Sequence, residues 1–144
     1  MLGTPLTKGV ELEADERWGD VATAFLKNVY AHNSKAAQTY YYRYYLAYLK
    51  GLSTSIERIA AATEANGTIC LVVQDSYFKD IHFDLPAIVN ELGISQGRSA
   101  SRLDFPVQRT KAAIHPVSRE YRTTFDAVES LVVLEGETSD GNCP

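Results

Sequence analysis

With 144 residues, 45% of them hydrophobic and 22% charged, the chain has the composition of one ordinary globular domain rather than a disordered segment. Its net charge of -4 predicts no overall attraction to nucleic acid. No stretch approaches the roughly 20 uninterrupted apolar residues of a membrane span, so no membrane partner is expected. Met1 to Lys8 lacks the basic start and apolar run of a secretory signal. Cys70 sits in an apolar run and reads as a buried thiol, whereas Cys143 lies in a polar tail; this count and spacing exclude a disulfide framework or a CxxC metal site. The expected compartment is a reducing cytoplasm.

In chain order, residues 1–14 carry Gly3, Pro5 and Gly9 without periodicity and read as irregular. Val21, Ala22, Phe25, Leu26, Val29 and Tyr30 repeat at helical spacing, with Asp15 and Asp20 as candidate N-caps and Asn33-Ser34 as the break. A long helix is predicted from about Lys35 to Thr63, its apolar stripe running Ala37, Tyr41, Tyr44, Tyr48, Leu52, Ile56, Ile59 and Ala60. Gly51 in its interior marks a possible kink or close contact. The tyrosines at 40–42, 44 and 45 invite a base-stacking reading, but packing explains them more simply.

Asn66-Gly67 ends that helix, and Thr68 to Val73 is a continuous apolar run, the pattern of a strand covered on both faces. Gln74-Asp75-Ser76 terminates it. Asp84 then caps a short helix with Pro86 in its first turn, Ile88, Val89 and Leu92 facing the core, and Gly93 closing it. Two further strands are predicted, roughly Ser99–Gln108 and Ala127–Leu134, joined by a loop of about 18 residues from Arg109 to Asp126. Loops of that length without secondary structure are usually functional or mobile. Residues 15–135 thus form the domain proper, and residues 136–144 read as a disordered tail. A buried strand between helices, followed by a strand pair, indicates an α/β layered sheet with an antiparallel edge, and with too few strands for a complete doubly wound domain.

Charge is unevenly distributed. Arg98, Arg102, Arg109, Lys111, Arg119 and Arg122 fall in one stretch against only Asp104 and Glu120, while both ends of the chain lean acidic. Such a stretch is either a candidate anion-binding surface or an ordinary solvated loop. No glycine loop for a nucleotide and no HExxH or CxxC motif occurs, and His32, His82 and His115 are far apart. Ser76, Asp80 and His82 lie close in sequence, but without a nucleophile elbow they make a poor hydrolase. Taken residue by residue, the chain is an α/β domain with a basic loop and no self-sufficient active site.

Gly67-Thr-Ile-Cys-Leu-Val-Val-Gln-Asp-Ser-Tyr77 resembles the G-G-x-hhhhVV-G-D-S-Y segment of prokaryotic DNA methylases, where h is apolar. Five further stretches, in the same order, are similar to segments of that family. Tyr41 to Leu49 resembles its R-Y-F-x-x-M-like helix, and Asp84 to Gly93 resembles the helix ending in E-L-G-F. Val107 to His115, Ser118 to Arg122 and Ala127 to Val133 resemble its closing R-T-x-A-G-I-N, R-x-Y-R and A-x-E-S-V-L-V-L segments. The likeness spans roughly residues 35–135. Gln74 and Ala113 stand where the family has glycine, which narrows backbone freedom at both places.

The resemblance implies the C-terminal half of an S-adenosylmethionine-dependent DNA methyltransferase: a partial Rossmann-like sheet with flanking helices and a C-terminal antiparallel strand pair. The cofactor glycine loop and the [DNS]PPY motif beside the flipped base are missing, and the chain contains no Pro-Pro. It therefore implies no catalytic residue, no metal, and S-adenosylmethionine only when a partner chain completes the site. Arg109, Lys111, Arg119 and Arg122 become candidate phosphate contacts to DNA. Asp75, Ser76 and Tyr77 would stand at the carboxyl end of a central strand, where ligands bind in such sheets. A complementary methylase chain or a homodimer mate is the expected protein partner. A non-enzymatic DNA-binding or protein-interaction module derived from a methylase is the alternative.

Overall fold

A computed structural model describes residues 13–108 and 126–136, with side chains described for 13–106 and 128–136. The candidates Arg109, Lys111, Arg119 and Arg122, like most of the N-terminal segment and the tail, lie outside the described residues. The architecture is α/β. A 3-10 turn (Glu16–Trp18) leads into α1 (Asp20–Ala31), a π-helical turn (Ala37–Tyr41) and α2 (Tyr42–Ala62). Then come β1 (Thr68–Gln74), a small hairpin of β2 (Ser76–Phe78) and β3 (Ile81–Phe83), α3 (Leu85–Ser95), β4 (Ser99–Gln108) and β5 (Asp126–Glu135).

β5 lies between β1 and β4 and is antiparallel to both, so β1 and β4 run parallel and the predicted strand pair is antiparallel. α3 packs against all three strands, with α1 and α2 behind it. The core between these layers includes Trp18, Phe25, Leu26, Leu46, Leu49, Ile88, Leu92, Val132 and Leu134, all buried.

Local chemistry sets the element ends. Asp15 caps the 3-10 turn by accepting from the Arg17 amide at 2.9 Å. The first turn of α1 is capped from outside itself: Glu91 of α3 accepts from the Val21 amide at 3.0 Å. Gly19, with φ of 93°, brings the chain so close to Glu91 that a Cβ would collide with that side chain. Asp84 caps α3 through the Ala87 amide at 3.1 Å, with Pro86 in the first turn as predicted.

Several expectations need correction. The long helix is not continuous from Lys35: Ala36 takes a left-handed φ of 65°, and the π-helical turn precedes α2. Of the predicted stripe, Ala37, Leu52 and Ile56 are buried and Tyr41, Tyr48 and Ala60 pack against the core, while Tyr44 is only half-buried and Ile59 is exposed; Leu46 and Leu49 are buried in addition. Gly93 does not close α3. It lies buried inside the helix because a Cβ there would run into Leu134 of β5, and the helix continues to Ser95, with Gly97 at φ 73° beyond it. The hairpin β2–β3 occupies the stretch between Asp75 and Asp84, to which no element was assigned from the sequence, and is anchored by buried Phe78 and Phe83.

The largest correction concerns β1. Its side chains alternate, with Ile69 buried and Val72 78% exposed, so among the described residues it is covered on one face and not on two. Cys70 is accordingly exposed rather than buried.

The tyrosines serve mainly as packing. Tyr45 contacts Phe25 edge-on at 4.7 Å between ring centroids and Phe83 at 5.3 Å, and Tyr41 meets Phe78 at 4.9 Å. Burial, with help from neighbouring tyrosines, pushes the Tyr45 phenol well above its ordinary pKa. Tyr40 remains largely exposed.

Candidate functional site

The parallel strands β1 and β4 end at the same side of the sheet, and β5 begins there: Gln74 pairs with Glu129, and Gln108 with Asp126. The chain therefore leaves the sheet at Gln108 and re-enters at Asp126 beside Asp75. The span 109–125, which holds the four basic candidates, is tethered at the end where Asp75, Ser76 and Tyr77 stand. In an open α/β sheet this carboxyl end is the ligand-binding end.

Asp75 is 4% exposed and fully engaged. Its backbone amide donates to the Val128 carbonyl at 3.1 Å, one carboxylate oxygen accepts from the Val128 amide at 2.8 Å, and the other meets His82 Nε2 at 2.7 Å. The carboxylate thus extends the β1–β5 ladder one step beyond the strand, which matches the strand-closing turn as well as it does a pocket wall. Ser76 is exposed, and Tyr77 is half-buried opposite His82, with ring centroids 4.9 Å apart.

The Ser76, Asp80, His82 trio does not assemble. His82 pairs with Asp75, while Asp80 pairs with His32 at 2.9 Å. Ser76 faces Phe83 in the hairpin register whereas His82 faces Tyr77, so the two alternate to opposite sides of the ribbon. His32 Nδ1 accepts from the Ser34 amide at 3.0 Å, which leaves Nε2 to donate to Asp80. These pairs fasten the hairpin to the end of α1 and to the sheet.

Two members of the basic stretch are used internally. Arg98, 7% exposed, directs its guanidinium at the carbonyls of Gly67 (2.7 Å), Ala60 (3.2 Å), Glu64 (3.2 Å) and Thr63 (3.4 Å), closing the C-terminus of α2. Arg102 bridges Asp84 at 2.7 Å and Asp104, whose carboxylate also accepts from the Ser130 hydroxyl at 2.6 Å. Burial works against the Arg102 charge, but its hydrogen bond to Asp104 and the nearby Asp84 carboxylate outweigh it and raise its pKa. The Ser130 hydroxyl, then Arg102, holds the Asp104 carboxyl below its ordinary pKa. Neither arginine belongs to an anion-binding surface.

Sequence reasoning saw Asp84 as a cap but missed its pairing with Arg102, and it missed the His82–Asp75 pair. Arg102 and Asp104 stand two apart on the helix side of β4, and their further partners, Asp84 at the start of α3 and Ser130 on β5, are distant in sequence and carried no local signal. Among the described residues no three His, Cys, Asp or Glu side chains gather as metal ligands, and no helix is long and apolar enough to cross a membrane. Comparison with protein-family models, characterised proteins and solved structures gave no match to this chain.

Proposed function

We propose that this chain is the C-terminal portion or subunit of a DNA methyltransferase, completing its sheet and contacting DNA while contributing no catalytic group alone. The observation that carries the reading is the sheet end. Asp75 to Tyr77 and both attachment points of the basic span 109–125 lie there together, at the side where open α/β sheets take ligands. The outer edge of β1 is unpaired among the described residues, which suits a partial Rossmann-like sheet continued by strands of a complementary chain. S-adenosylmethionine enters this scheme only with that chain, which would bring the glycine loop and the [DNS]PPY motif.

Duplex DNA binding by the full chain, followed by fluorescence anisotropy between 50 and 200 mM salt, tests the reading. Four phosphate contacts give a slope of about -3.6 in log affinity against log salt, or a loss of about 150-fold over that range. Alanine at Arg109, Lys111, Arg119 and Arg122 should abolish most of that slope. Binding that is absent, or unchanged by those substitutions, overturns the DNA contact.

A protein-interaction module derived from a methylase is the second reading. It is favoured by the withdrawal of Arg98 and Arg102 into the fold, which leaves fewer cations for phosphate, and by the bare sheet face.

A further inference from the structure

One face of the three-stranded sheet carries α3; the other carries nothing among the described residues. The register places Cys70, Val133 and Ser101 in one row across that open face, Val72, Leu131 and Leu103 in the next, and Gln74, Glu129 and Phe105 in the third. Val72 is 78% exposed, Leu103 57% and Phe105 51%, so the centre of the face is apolar and open to water. Thr68, Glu135 and Ser99 close the far end. The charges on this face are therefore both acidic, Glu129 and Glu135, six residues apart on β5.

We infer that this face is the seat of an amphipathic α-helix of a partner protein, with an apolar stripe bounded by basic residues about 14 positions apart. The dimensions come from the sheet. Strands about 4.8 Å apart put the outer two axes about 10 Å apart, the width of one α-helix. On the opposite face α3 alone already spans β1, β5 and β4, so one helix is the natural unit of cover. Six residues of strand span about 20 Å, and at 1.5 Å per residue and 3.6 residues per turn about 14 residues of helix cover that span and return to the same side. Cations at those two positions would meet Glu129 and Glu135, and the residues between would cover Val72, Leu131 and Leu103.

A second copy fits less well. It would bring Glu129 and Glu135 against a face with no cation among its described residues. The inference rests on this face alone and does not depend on the methylase reading.

Cys70 is a built-in reporter because it stands on the face. In the full chain with Cys143→Ser, its alkylation by N-ethylmaleimide is followed by intact-mass spectrometry. The probe is a synthetic 18-residue helix with a Leu/Ala stripe and lysines 14 apart, compared with a version carrying glutamates at those positions (both lengths set by the helix rise and turn). The lysine peptide should slow alkylation at least fivefold at saturation and bind at least tenfold more tightly than the glutamate peptide. Val72→Gln with Leu103→Gln, both exposed in the free chain and so harmless to folding, should weaken it at least tenfold. Equal binding of the two peptides, or no binding, overturns the inference. Protection of Cys70 without peptide overturns it too, in favour of another segment of this chain if independent of concentration, or a second copy if it rises with concentration and the mass doubles.

Discussion

Replacing Arg98 by alanine separates a structural from an anion-binding role. The guanidinium reaches four carbonyls, one in the last turn of α2 and three in the turn towards β1, at 2.7 to 3.4 Å. A hydrogen bond to a charged donor contributes about 1.5–3 kcal/mol, but these four share one group and turn carbonyls regain water when it leaves. A cation at a helix C-terminus adds up to about 1 kcal/mol. The expected loss is therefore about 3 kcal/mol, less than the sum of the parts. With a urea slope of about 2 kcal/mol/M, the unfolding midpoint should fall by about 1.5 M. Arg98→Lys keeps a cation but not the fork and should fall between the two. DNA affinity per folded molecule should keep its salt slope. A midpoint change worth under about 0.5 kcal/mol, or a slope reduced by about one unit as for a lost phosphate contact, would refute the reasoning.

Other consequences follow from the same contacts. Gly93→Ala forces a methyl into Leu134; overpacking of about 1–3 kcal/mol outweighs the roughly 1 kcal/mol gained in helix propensity, so thermal melting should show a lower Tm. Asp75→Ala strands the Val128 amide and should cost about 1–3 kcal/mol in urea unfolding; unaltered stability would mean that Asp75 is held for a ligand rather than for the sheet. The Asp104 carboxyl titrates below its ordinary 3.8, so its stabilising effect is present above that value and fades as pH falls through the folded-state pKa. Asp104→Asn should flatten that acid limb of stability, measured by urea unfolding at a series of pH values.

The helices and strands were legible because apolar spacing reports burial: the ranges foreseen for β4 and β5 fall within two residues of those formed. Phase was harder. Most of the predicted stripe of α2 does face the core, but Tyr44 and Ile59 were included and Leu46 and Leu49 left out, because apolar residues flank the seam on both sides; the left-handed Ala36 and the π-helical turn before α2 had no signal in composition. Gly93 was mistaken for a terminator because glycine serves equally at a helix end and at a close approach, and Leu134, which decides between them, is 41 residues away. Much of the candidate site was illegible for the same reason. Asp75 with Val128, Arg98 with Ala60 and Arg102 with Asp84 are pairings between distant parts of the chain.

The misreading of β1 carries the most meaning. A continuous run from Ile69 to Val73 suits a strand with helices on both faces, yet among the described residues only the α3 side is covered. Water alone would select polar residues at Val72 and Leu103, as alternation normally does on a one-sided sheet, so their apolar character calls for a cover. The outer edge of β1, with which no described strand pairs, raises the same demand in the hydrogen-bonding direction, since a long apolar edge invites pairing. A layered α/β sheet is finished when both demands are met together. A complementary chain offering a strand to β1 and a helix to the open face would meet both, which ties the proposed subunit role to the proposed seat for a helix. A partner helix alone would meet only the second and leave the edge of β1 free. Occupation of the face by the lysine peptide without any strand partner would therefore separate the two, because β1 amides would remain fast in hydrogen exchange while Cys70 became protected.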